Sequence, residues 1–227
     1  MASLAFKLNE KLFIRDPQHT QLGQNIISKS VDMIDELGFE HFTFKKLAEA
    51  IDSTEASVYR YFENKHRLLH YLVAWYWNWL EYRIELATTS LIEPRGKLMA
   101  ALKVITEETK YDPTIEFVNE VALHRIVVAE LDKTYLTKWV DKDNHQGLFG
   151  GFKMVSRKIS SLIQQINPTY TYANSLASTA VLAANQQLFF LEHLPALSSI
   201  SKADESVLRH ERLRGFIELL VLNAIGK

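Results

Sequence analysis

Apolar residues recur at intervals of three and four along almost the whole chain, and this spacing limits its fold more than any other feature. Few segments alternate as strands do, and only 8 Gly and 5 Pro interrupt 227 residues. The sequence therefore predicts an all-α protein, with 47% hydrophobic residues providing core for one large domain or two small ones. With no cysteine in the chain, disulfides, thiolate zinc sites and cysteine nucleophiles are excluded. The opening "MASLAFKLNEKLFIRDP" lacks the apolar core and cleavage site of a signal peptide. No later run is long enough to cross a bilayer, so the expectation is a cytoplasmic protein without a membrane partner.

Residues 1–20 read as a partly helical or mobile arm ending in the turn "DPQHT". From Leu22 to Leu37, Ile27, Val31 and Ile34 share one face, and Gly38 stands where a helix commonly stops. Thr43 is placed to cap a second helix with the stripe Phe44, Leu47, Ala48 and Ile51; Ser53 or Thr54 caps a short third one, in which Val58 and Phe62 point one way. A long helix begins at Lys65 with apolar residues on more than one side, which predicts a boundary near residue 70 and domains of 21–68 and 69–227. Further helices are expected near 95–110, 114–131, 133–142, 146–166, 169–193 and 203–225.

Residues 42–69, "FTFKKLAEAIDSTEASVYRYFENKHRLL", thus hold two short helices joined by a polar turn, the geometry of a helix-turn-helix. A helix in the major groove needs small or hydrogen-bonding residues toward base edges and cations or hydroxyls toward phosphates. Ala56, Ser57, Tyr59, Arg60 and Tyr61 are such residues, flanked by Lys45, Lys46 and Lys65. Aromatic residues at this spacing often fill a core, yet a three-helix head is too small to bury Val58, Tyr59, Tyr61 and Phe62 on every side.

The segment resembles the DNA-binding head of the tetracycline-repressor (TetR) family of bacterial transcriptional regulators. The match is carried by Thr43, Leu47-Ala48, Val58-Tyr59-Arg60-Tyr61-Phe62, Lys65 and Leu68-Leu69, and extends over about residues 22–72. The resemblance implies a homodimer that binds a palindromic double-stranded operator as a repressor, with a C-terminal core that takes a small-molecule effector. It also implies DNA contacts by Thr43, Lys45, Ser57, Tyr59, Arg60, Tyr61 and Lys65, the last as a phosphate-binding lysine; Thr54 and Ala56 complete the expected DNA-contacting set. The sequence departs from the family pattern at the turn, where Asp52-Ser53 replaces a Gly and an apolar residue, and at Glu55, where a polar or basic residue is common. The first 70 residues hold nine Lys and Arg against ten acids, and the whole chain has a formal net charge of -1, so binding has to rest on a local face and on two heads acting together.

Polar residues within apolar helices are the ligand-pocket candidates: Asn119, Glu120, His124 and Gln186, with Trp79 beside them. The resemblance implies dimerisation through the last two long helices, which makes their small and apolar residues Ala177, Ala180, Ala184, Leu188, Leu213, Ile217 and Leu220 the expected dimer interface. Glu120 and His124 lack further ligands at fixed spacing, and "DKDNHQG" lacks the glycine position and final glutamate of a calcium loop, so no metal and no cofactor is expected. No nucleophile, base or carboxylate pair stands in a catalytic pattern, and no catalytic residue is assigned. The rival reading is a helical ligand-binding or protein-interaction module that no longer binds an operator.

Overall fold

A computed structural model of the chain describes residues 5–226, and every regular element among them is helical. The expected arm thus begins outside the described residues. In chain order the α-helices are α1 (Gln21–Leu37), α2 (Phe44–Ala50), α3 (Glu55–Tyr59), α4 (Lys65–Thr89), α5 (Pro94–Thr106), α6 (Glu120–Glu130), α7 (Asp132–Tyr135), α8 (Val140–His145), α9 (Gly150–Ile166), α10 (Ala173–His193) and α11 (Ser206–Ile225). They form two compact units. The first runs to Asn78 and includes Thr109–Gly151; the second comprises Trp79–Glu108 and the chain from Phe152. The division falls within α4 rather than near residue 70, because residues 109–151 join the head: α6 packs on α1, and Arg125 donates to both carboxylate oxygens of Asp35 at 2.9 and 2.6 Å.

The three helices of the head start and stop where local chemistry dictates. The hydroxyls of Thr20, Thr43 and Thr54 accept from the backbone N–H groups of Gly23, Lys46 and Ser57 and so cap α1, α2 and α3. Gly38, at φ 77°, ends α1. The turn between α2 and α3 needs another left-handed residue, and here it is Asp52 at φ 50°; a short polar side chain is one of the few besides glycine that accept this conformation. Asp52 thus takes here a conformation that glycine accepts freely.

Three expected helices, those near 95–110, 114–131 and 133–142, differ most in extent. Residues 107–119 leave the helical path after Thr106: the Asp112 carboxylate accepts from the N–H and hydroxyl of Thr114, an Asx turn reinforced by Pro113, and Asn119 starts α6 by accepting from Ala122 N. The stretch 133–142 splits into α7 and α8, where the Thr137 hydroxyl accepts from Trp139 N instead of continuing a helix.

The described part of the arm is fixed to the first unit. Leu8 and Leu12 are buried, Phe6 meets Trp75 edge-on at 5.2 Å, and Phe13 meets Tyr71 at 6.1 Å. Gln18 closes the strap by accepting from Phe6 N and donating to Phe6 O, and Asn9 donates to Gln146 O at 2.7 Å. The apolar residues, not Lys7, Lys11 and Arg15, decide where this segment goes. It lies so close to α1 that a Cβ on Gly23 would stand 2.3 Å from Pro17 O.

In the second unit, α10 packs on α11 and α5, and α11 packs on α5. Ala177, Ala180, Ala184, Leu213 and Ile217, expected at a dimer interface, are all fully buried within this unit. Here they close the unit's own core, and small side chains at this seam let α10 sit close to its neighbours. Leu188 and Leu220 keep partial exposure.

The strap yields a prediction. Gly23→Ala forces Pro17 away from α1 and lowers the melting temperature by several degrees in a thermal scan, although alanine is the better helix former by about 1 kcal/mol. A gain in stability would show that the close approach is not tight.

Candidate nucleic-acid interface

The helix-turn-helix is built on α2 and α3. Helix α3 has only five residues, so its placement depends on what its inner face touches. Val58 and Phe62 are fully buried, and Phe62 meets Tyr71 of α4 edge-on at 5.3 Å. On the outer face Thr54, Glu55, Ala56, Tyr59 and Arg60 are exposed, with Ser57 half-buried. Phe44 of α2 is 4% exposed and meets the Tyr59 ring edge-on at 5.1 Å, so Tyr59 is 47% exposed yet held in place. The Thr54 and Ser57 hydroxyls lie 2.8 Å apart. On α2, Thr43 and Lys45 are exposed, whereas the neighbouring Lys46 ammonium donates to His41 O at 2.9 Å.

Two members of the expected DNA-contacting set stand elsewhere. Tyr61 is 2% exposed, its hydroxyl is 2.8 Å from Thr20 Oγ1, and its carbonyl accepts from Ile14 N at 2.8 Å. With the Arg15 guanidinium 5.5 Å from its ring centroid, Tyr61 fastens the end of α3 to the arm and to the cap of α1. Lys65 donates to the carbonyls of Phe39, Glu40 and Phe42 at 3.0, 3.1 and 3.2 Å, and its ammonium lies 4.6 Å from the Phe39 ring centroid. An ammonium has three donors, and all three are engaged. Lys65 thus braces the α1–α2 loop, where the resemblance implied a phosphate contact. The three-residue spacing from Val58 would have placed Tyr61 on the buried side; nothing in the sequence marks Lys65 as a carbonyl clamp.

The pocket candidates are divided between the two units. Asn119, Glu120 and His124 lie in the first unit, Trp79 and Gln186 in the second. Asn119 caps α6; His124 stacks on Tyr76 at 5.6 Å with Nδ1 2.8 Å from Thr109 Oγ1; Glu120 is buried. Trp79 is buried with the Arg83 guanidinium 4.7 Å from its ring, and Gln186 is exposed. Each unit has an open cavity, of about 570 and 540 Å³, and neither is lined by any of the five. No group of three or more His, Asp or Glu side chains among the described residues is arranged to hold a metal.

Two histidines stand behind the head at the start of α4. His70 is 7% exposed and its Nε2 lies 2.6 Å from the Thr134 carbonyl, so the ring donates there. Burial holds its pKa below the ordinary value, and burial, followed by the charge of Lys65, does the same for His66.

Against known proteins, residues 26–72 match the model of the bacterial regulatory proteins of the tetR family. No curated protein matches the chain. Among solved structures the chain is similar to a tetR-family regulatory protein from Rhodococcus RHA1, with 13% identity and a TM-score of 0.59, covering 89% of this chain and 96% of that one. It is similar to AibR, solved with isovaleryl coenzyme A and operator DNA, at 12% identity and a TM-score of 0.55, covering 87% and 98%. It is also similar to the superantigen PfiT, at 12% identity and a TM-score of 0.55, covering 92% and 97%. The match, the head's geometry and the shared fold agree: the chain carries the amino-terminal domain of the tetR family, on the fold seen in those regulators.

A histidine whose folded pKa is lowered is protonated first in the unfolded chain, so its stabilising effect is complete above about pH 6.5 and declines as the pH falls. The melting temperature should drop between pH 7 and pH 5.5, and His70→Gln, which keeps a donor for Thr134 O, should flatten that drop. An unchanged slope in the variant would show that His70 does not stay neutral in the folded protein.

Proposed function

We propose that the protein is a transcriptional repressor that binds a palindromic operator as a homodimer and responds to a small-molecule effector. The observation that carries this reading is the division of α3: Val58 and Phe62 inside, Thr54, Ala56, Tyr59 and Arg60 outside. Hydroxyls, a methyl group and a guanidinium on one narrow face suit base edges and phosphates. Thr43 and Lys45 extend that face onto α2 as backbone contacts, and Ser57 lies at its edge.

Cations are few on this face, and Glu55 and Asp52 stand near them. Affinity then depends on two heads on one duplex rather than on general attraction, because linking two weak contacts raises the effective concentration of the second. In this reading the last helix offers the face for the second copy. With Ala177, Ala180, Ala184, Leu213 and Ile217 committed to the subunit's own core, α11 still exposes Leu208, Phe216 and Leu219 at 40%, 45% and 62%. These residues share the face opposite the buried stripe Leu213, Ile217 and Val221 and form the better candidate interface. AibR, which shares the fold, was solved with operator DNA and an acyl coenzyme A, and this supports both an operator and an effector here.

The second reading, a helical module without an operator, draws on the exposed Glu55 and on a superantigen having the same fold. Selection of bound duplexes from a random DNA pool separates the two. The regulator reading predicts an enriched palindrome, binding that weakens with salt, and a loss of about tenfold or more in affinity for both Tyr59→Ala and Arg60→Ala with their folds intact. No enrichment at low salt would contradict it.

A further inference from the structure

The cavity of about 570 Å³ in the first unit lies between the beginning of α4 and the α7–α8 segment, and the DNA-facing residues take no part in it. Its volume is that of a small-molecule site. Most of its charges are already matched. Arg67 lies 3.0 Å from Asp143, a carboxylate only 6% exposed, and Lys133 is held by Glu40 at 2.6 Å and Glu130 at 2.8 Å. Burial and the charge of Lys65 favour the uncharged form of the His66 ring.

What remains is Trp139 with two lysines. Trp139 is 58% exposed, whereas Trp75, Trp77 and Trp79 are at most 3% exposed. The Lys138 and Lys142 ammonium groups lie 5.2 and 6.0 Å from its ring centroid, and neither has a carboxylate within ion-pair distance. The Thr137 hydroxyl accepts from Trp139 N at 3.2 Å and fixes the turn that presents the ring to the cavity. A large apolar ring left in water is costly to leave uncovered. A simple anion would satisfy the lysines and leave the ring bare; a neutral aromatic molecule would cover the ring and leave the lysines without an anion.

We propose that this cavity binds a nucleoside phosphate, with the base stacked on Trp139 and the phosphates held by Lys138 and Lys142. Stacking on an indole suits any base face, and ammonium groups bind phosphate oxygens as point charges. His66, also in the lining, supplies a ring nitrogen to the sugar or base. Glu63, the one exposed carboxylate of the lining, stands just before the first residue of α4. The proposal does not rest on the DNA-binding reading.

The test is titration of the full chain with ADP, read by tryptophan fluorescence and by melting temperature. Since the other three tryptophans are buried, quenching by a stacked base reports on Trp139. The expected result is saturable quenching with a rise in melting temperature, and weaker binding of adenosine and of pyrophosphate taken singly. Lys138→Glu with Lys142→Glu should abolish the rise, and Trp139→Ala should weaken ADP binding by about tenfold or more, as loss of a stacking partner does. Three outcomes would overturn the proposal: no quenching or stabilisation by millimolar ADP, a temperature rise that survives in these surface variants, or quenching by duplex DNA but not by ADP.

Discussion

A single ammonium group governs the head. Lys65, the first residue of α4, donates to three carbonyls of the loop between α1 and α2, at Phe39, Glu40 and Phe42. That loop follows the end of α1 at Gly38 and precedes the cap of α2 at Thr43, so the lysine decides where α2 begins. Helix α2 in turn supplies Phe44, against which Tyr59 rests, and it positions α3, which is too short to be stable by itself. A hydrogen bond to a charged group contributes about 1.5–3 kcal/mol, and three converge here.

Within this frame α3 divides its aromatic and basic residues between two tasks. The inward group, Val58, Tyr61 and Phe62, is buried and tied to α4, the arm and the cap of α1. The outward group, Tyr59 and Arg60, is exposed, and Tyr59 is held by a ring contact. Holding a contact residue before its partner arrives lowers the entropy lost on binding, which matters where cations are few. The first unit also holds a second surface of different character around Trp139, separated in sequence from α3 and lined by α4 and the α7–α8 segment.

Much of the fold was legible in the sequence because its signals are local. Three-and-four spacing placed the helices, and Thr43 and Gly38 placed a start and a stop, since a hydroxyl cap or a left-handed glycine acts within a few residues. What was not legible depends on partners distant in sequence. Ala177, Ala180 and Ala184 show close packing, but spacing does not say whether the neighbour is the same chain or a second one. A lysine at the start of a helix reads as a phosphate contact until the carbonyls of residues 39–42 are brought to it. The arm carries both cations and apolar residues, and only the folded core shows that Leu8 and Leu12 decide its place. The same limit applies to Asn119, whose side chain caps a helix, a role that its place in an apolar stretch does not reveal.

The most direct measurement is Lys65→Met, which removes the ammonium and keeps the stem, assayed both for thermal stability and for the salt dependence of DNA binding. The account predicts a melting temperature lower by roughly 5 °C or more, since about 1 kcal/mol corresponds to 2–4 °C in a chain of this size. It also predicts that, well below that temperature, the slope of log affinity against log salt is unchanged. An unaltered melting temperature together with a slope reduced by about one would place Lys65 on a phosphate and contradict the account.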